Sequence, residues 1–158
     1  MAVFMDVYND GEREISLTEH SIHDVKFDSD LDIKLTPKLH GIVRNLIVTG
    51  FIKTDRASEP PRPLLDDYGD QAVDENGDPQ FDLREIDSVR QLANWAIIPE
   101  YYECYRDVTI RLTDSTGEEV KSESFEDMLV MDYKEWFDND HGNGSFYIHM
   151  RERELIEE

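Results

Sequence analysis

A single cysteine, Cys104, occurs in 158 residues. No intrachain disulfide can form, so a small disulfide-stapled secreted fold is excluded. No apolar run approaches the ~18 residues that a membrane-spanning helix needs. Bases are also scarce: 16 Lys+Arg stand against 37 Asp+Glu, a formal net charge of −21. Binding a nucleic-acid backbone requires clustered Lys and Arg, and none occur here. Attraction to an anionic membrane surface is disfavoured for the same reason. The N-terminal Met1-Ala2-Val3-Phe4-Met5-Asp6 has no basic stretch and reaches an acid early, unlike a signal peptide. A cytoplasmic site of synthesis is expected, with export by a specialised machine left open.

Such a charge would suit a disordered chain if apolar residues were few. They are not: 39% of the chain is apolar, with seven Phe, seven Tyr and two Trp. A chain this long buries roughly 70% of its unfolded surface, enough for one core. One domain spanning 1–158 is expected, with a frayed tail at 151–158. The acidity is uneven, with net charges of −4 over residues 1–50, −7 over 51–100 and −10 over 101–158. Its extreme lies between Arg62 and Arg84, where Asp66, Asp67, Asp70, Asp74, Glu75, Asp78 and Asp82 occur without a base. Pro60-Pro61-Arg62-Pro63 precedes this run and favours extended, unladdered backbone. Residues 56–81 read as one surface excursion, with 59–82 as an acidic insertion. No internal repeat is evident.

Elsewhere a period of two dominates. Val3–Tyr8 reads as a strand closed by the turn Asn9-Asp10-Gly11. Ile15–Leu17, Ile22–Phe27, Leu31–Leu35 and Asn45–Ile52 follow, with Gly50 a bulge or bend. Val108–Leu112, the turn Asp114–Gly117, a hairpin arm Glu119–Phe125, then Met128–Tyr133 and Phe146–Met150 complete the strands. One helix is predicted from Leu83, Ile86, Val89 or Arg90, Ala93 and Ile97, with Leu92 and Trp95 widening its stripe. Asp82 or Asp87 supplies an N-cap or first-turn acid, and Pro99 stops the helix. The expected class is mainly β: a barrel or two-sheet sandwich of seven to nine strands with one flanking helix.

Catalytic signals are thin. His20 and His23 form a His-x-x-His pair, but a zinc site needs three or four ligands, so a surface pair is the plainer reading. His149 alternates with Tyr147 and reads as packed or solvated. Placing Gly77 at the sixth position of a calcium loop puts Ala72 first and Leu83 twelfth, where oxygen ligands are required. Cys104 lies between Tyr102 and Tyr105 and reads as a buried thiol rather than a nucleophile. No nucleophile elbow, phosphate-cradling loop or dinucleotide fingerprint occurs. No catalytic residue, metal or cofactor is therefore expected. Two aromatic clusters, Tyr101-Tyr102-Tyr105 and Tyr133-Trp136-Phe137, point instead to core packing and a protein interface.

The order of segments in the second half is distinctive. Thr54-Asp55-Arg56-Ala57-Ser58 precedes the helix. Val108–Glu118 then forms a strand and turn, Phe125–Phe137 carries Val130-Met131-Asp132-Tyr133, and Phe146–Met150 closes. Over residues 42–58 and 83–150 this resembles the haemolysin-coregulated tube proteins of type VI secretion and related tail-tube proteins. The resemblance implies a compact β-barrel of two sheets with a flanking helix, stacking in rings that are usually hexameric. It implies no catalytic residues. The chain departs from that pattern at residues 59–82 and in its charge, since identical acidic surfaces repel.

Two functions are therefore expected. The first is a structural, ring-forming subunit whose interface includes Tyr133, Trp136 and Phe137. The second is an acidic inhibitor or immunity-type protein. It would seat Asp66, Asp67, Asp70, Asp74, Glu75 and Asp78 in the basic cleft of a nuclease or nucleic-acid-binding protein.

Overall fold

The computed structural model describes residues 2–31, 42–53, 63–81, 83–99, 104–138 and 143–153. Seven strands and one helix occur among them: β1 (Ala2–Asn9), β2 (Glu12–Leu17), β3 (Ile22–Leu31), β4 (Ile42–Lys53), α1 (Glu85–Ala96), β5 (Arg106–Thr113), β6 (Glu119–Phe137) and β7 (Asn143–Glu152). The protein is mainly β, as its alternation predicts. All strands pair antiparallel in one sheet of order β2-β1-β5-β6-β7-β4-β3.

The sheet does not close into a barrel, but it cannot be flat. Its two outermost strands, β2 and β3, are joined only by the turn at Thr18–Ser21. Seven strands at a spacing of about 4.8 Å would separate the edges of a flat sheet by about 29 Å. The chain from Leu17 to Ile22 reaches at most about 18 Å. The sheet therefore curls until its edges approach. The turn is held by the Ser21 and Ile22 N–H groups donating to Thr18 O, and the Phe51 N–H of β4 donates to Ser21 O at 2.7 Å.

The curled sheet encloses one core. Met5 and Val7, Ile15 and Leu17, Leu46 and Val48, Val108 and Ile110, and Phe146, Ile148 and Met150 face inward at alternate positions. The helix lays Val89, Leu92 and Trp95 into this cluster, and the Trp95 indole N–H donates to Cys104 O at 2.7 Å. Val89, Leu92 and Trp95 of the predicted stripe are buried together with Ser88, Ile86 packs against the core, and Ile97 is left exposed. Ser88 joins this face because its Oγ accepts the Ser16 N–H of β2. Asp87 does lie in the first turn, while Arg84 holds the N-cap position without a side-chain cap bond. Asp82 lies outside the described residues.

Two readings need correction. Glu119–Phe125 and Met128–Tyr133 are one strand, β6, bent where Asp127 takes a left-handed φ of 51°. Phe125 and Met128 both face the core, so the bulge between them breaks the alternation and looks like a strand end. Arg151 and Glu152 belong to β7 rather than to a tail. Gly50, read as a bulge or bend, lies where the β3–β4 register shifts between Ile22 and Asp24, and it is also a close approach: a Cβ there would lie 2.1 Å from Ser21 O and 2.5 Å from the Phe146 ring. Of the Leu31–Leu35 segment, Leu31 ends β3 and the rest lies outside the described residues, as do Tyr101 and Tyr102.

Candidate functional site

β6 is the unusual element. Its first half, to Met128, pairs with β5, and its second half, from Met128, pairs with β7. Each half therefore has one side with no partner strand among the described residues, on opposite flanks of the same strand. The first flank is bridged by Arg44 of β4. Its guanidinium donates to Glu152 through Nε at 2.6 Å and Nη2 at 3.3 Å, and to Ser124 O at 3.2 Å. It also lies 4.4 Å from the centroid of Phe125, which stacks on Phe27. The Glu152 carboxylate raises the Arg44 pKa above its ordinary value. Sequence reading passed over Arg44. Its signal was a base set among the apolar residues Ile42, Val43, Leu46 and Ile47.

The second flank is less covered. Leu129, Val130 and Met131 share a cavity of about 280 Å³ with Trp95, Ala96, Ile98 and Cys104. Beyond it, Asp132–Phe137 runs on with β7 on one side only. The predicted aromatic cluster lies here but does not form one patch. Tyr133 is half-buried against the core and its hydroxyl donates to Glu135; burial, then that carboxylate, pushes the phenol well above its ordinary pKa. Trp136 and Phe137 are exposed, and as adjacent strand residues they face opposite sides of the sheet. Phe137 lies over Gly144, its cross-strand neighbour.

The two outer edges of the sheet differ. On β2, the Ser16 N–H donates to Ser88 Oγ at 3.0 Å and the Thr18 N–H donates to Glu85 Oε1 at 2.7 Å. The helix thus uses side chains to occupy donors that a further strand would take, a recognised way of sealing an edge. On β3 no strand covers the outer side among the described residues. Exposed Asp24, Lys26 and Asp28 space that edge with charge.

The acidic excursion, described over residues 63–81, is ordered by its own backbone and is an internal repeat that sequence reading missed. Leu64-Leu65-Asp66-Asp67-Tyr68-Gly69-Asp70-Gln71 is followed by Ala72-Val73-Asp74-Glu75-Asn76-Gly77-Asp78-Pro79, and Gln80-Phe81 begins a third copy. Ala72 N–H donates to Leu64 O, Gln80 N–H to Ala72 O, and Leu64 N–H to Gln80 O, at 2.8–3.0 Å. These three bonds form a closed ring. Bridges Leu65–Gln71, Val73–Pro79 and Pro63–Phe81 shut three leaves around it, the third being the chain's entry and exit. Within the two complete leaves, Asp66 Oδ1 accepts from the Tyr68 and Asp70 N–H groups, and Asp74 Oδ1 from those of Asn76 and Asp78. Gly69 and Gly77 take the φ of 81° that each turn requires. The β5–β6 turn is built alike, with Asp114 Oδ1 accepting from Thr116 and Glu118. One acid and one glycine thus define each of the two complete leaves. The eight-residue period was legible, but variable residues between the Asp and Gly positions obscured it.

The other candidates stay apart. His20 is exposed in the β2–β3 turn, and His23 meets the edge of Phe51. His149 Nε2 lies 2.8 Å from Asn45 Oδ1. No group of three or more potential metal ligands occurs among the described residues. Cys104 is buried, as expected of a packed thiol. No described helix is long and apolar enough to cross a membrane. Compared with known proteins, the chain matches no family model and no curated protein.

Proposed function

We propose that the chain is a non-enzymatic structural subunit that joins copies of itself head to tail into rings, as a tube protein of a secretion or injection apparatus would. The outer half of β6 supports this reading most directly: it runs past the core with one unpartnered flank and ends in exposed Trp136 and Phe137. The sealed β2 edge leaves β3 as the other open edge. Two different open edges suit a heterologous contact, which closes into a ring when the rotation between copies allows. The charge opposes this association, so assembly should strengthen as salt rises and screens like charges.

Sedimentation velocity and negative-stain microscopy of the pure protein test the reading. Rings that persist with salt, and that are lost in Met131→Ser/Trp136→Ser with the fold intact by circular dichroism, are the expected result. A strictly monomeric species at high concentration and moderate salt would overturn it.

A further inference from the structure

We propose that the three-leaved segment 63–81 is a docking module for a basic folded protein whose Lys/Arg-rich surface surrounds an apolar centre. The apolar side chains carry the inference. Leu65, Val73 and Phe81 occupy equivalent places about the backbone ring, yet remain 61%, 59% and 51% exposed. Tyr68, at the tip of the first leaf, is 91% exposed. None of them joins the core. Among the described residues each hydrogen bond of the segment closes within it, so the leaves hold their shape without using these side chains. Large apolar groups held out by a rigid backbone and rimmed by polar residues mark a surface that binds.

Charge selects the occupant. Asp66 and Asp74 spend an oxygen on their own turns, but Asp67, Asp70, Glu75 and Asp78 make no ion pair among the described residues. No base interrupts residues 63–81. A second copy would bring a matching ring of carboxylates against this one, and an anionic membrane or nucleic acid would be repelled likewise. A surface of Lys and Arg around an apolar centre meets both features at once. This module is independent of ring assembly, because the β6 and β3 edges play no part in it.

Two synthetic peptides of equal positive charge serve as probes, one interleaving Lys and Arg with Leu and Trp, the other with Ser. Titration calorimetry at moderate salt should show the apolar-basic peptide binding at least tenfold more tightly. Leu65→Ser/Val73→Ser/Phe81→Ser should erase that preference while leaving weak, salt-sensitive binding of both. Asp67→Asn/Asp70→Asn/Glu75→Gln/Asp78→Asn should weaken both peptides, and replacing 63–81 by a short Gly-Ser linker should abolish the preference without lowering the melting temperature. Equal binding of the two peptides would overturn the proposal. So would an unchanged preference in the serine variant, or self-association that the serine variant alone abolishes.

Discussion

Gly50→Ala and Gly144→Ala are the same substitution in neighbouring strands, and they should behave oppositely. Neither glycine needs a left-handed backbone, so space decides both outcomes. At Gly50 the new methyl would sit 2.1 Å from Ser21 O, a backbone atom fixed by the Phe51 N–H, and 2.5 Å from the buried Phe146 ring. Neither neighbour can give without loosening the turn that brings the sheet's edges together. Overpacking of this kind costs about 3 kcal/mol or more. For a chain of this size that lowers the melting temperature by about 6–12 °C. At Gly144 the close atoms belong to the Phe137 ring, at 2.6 and 2.7 Å, and that ring is largely exposed and can swing away. The remaining contact, Trp136 O at 3.1 Å, asks for a few tenths of an ångström. Alanine also restricts the unfolded chain, which returns about 0.4–1 kcal/mol. Gly144→Ala should therefore melt within about 3 °C of the parent. Thermal unfolding followed by near-ultraviolet circular dichroism reads both. A Gly50→Ala protein that melts alongside the parent, or a Gly144→Ala protein that falls as far, would refute the packing argument.

Ser88→Ala should destabilise the protein by about 1–3 kcal/mol, because it strands the Ser16 N–H beneath the helix; Ser88→Thr should recover part of this, and urea titration distinguishes them. Asp87 is held below the ordinary carboxylate range by its bond from Arg84. A depressed carboxyl stabilises above its unfolded pKa, and the benefit disappears as pH falls through the folded value. Asp87→Asn should thus melt slightly below the parent at pH 6, by a few tenths of a kcal/mol at this exposed pair. The two curves should converge once the pH falls well below the ordinary carboxylate range; a constant offset would show that the ion pair contributes nothing.

Most of the fold was legible because an antiparallel sheet with one buried face writes itself as alternation. Val108-Thr109-Ile110 and Phe146-Tyr147-Ile148 show it plainly. The bend in β6 was not legible, because a bulge changes which residues face inward and mimics a strand end. The burial of Ser88 was equally hidden, since it depends on an unpaired donor in a distant strand. Of the candidate site, the positions of Trp136 and Phe137 were readable, but not that strand geometry places them on opposite sides. The acidic run was visible as composition. Its threefold build lay in backbone bonds between residues eight apart, and the matching recurrence of Leu65, Val73 and Phe81 falls outside the periods of helix and strand.

The strand order also dictates when this protein can take shape. β4 meets β7 through pairs such as Thr49 and Tyr147, and β7 in turn is the strand that pairs β4 into the rest of the sheet among the described residues. While the chain is being made, the β3–β4 hairpin must wait, its inner edge unpaired, until residues 143–152 emerge. Folding dominated by such distant pairings is slow. The acidity that complicates self-association would then have an earlier use: nascent chains waiting with an open edge repel one another until β7 fills the gap.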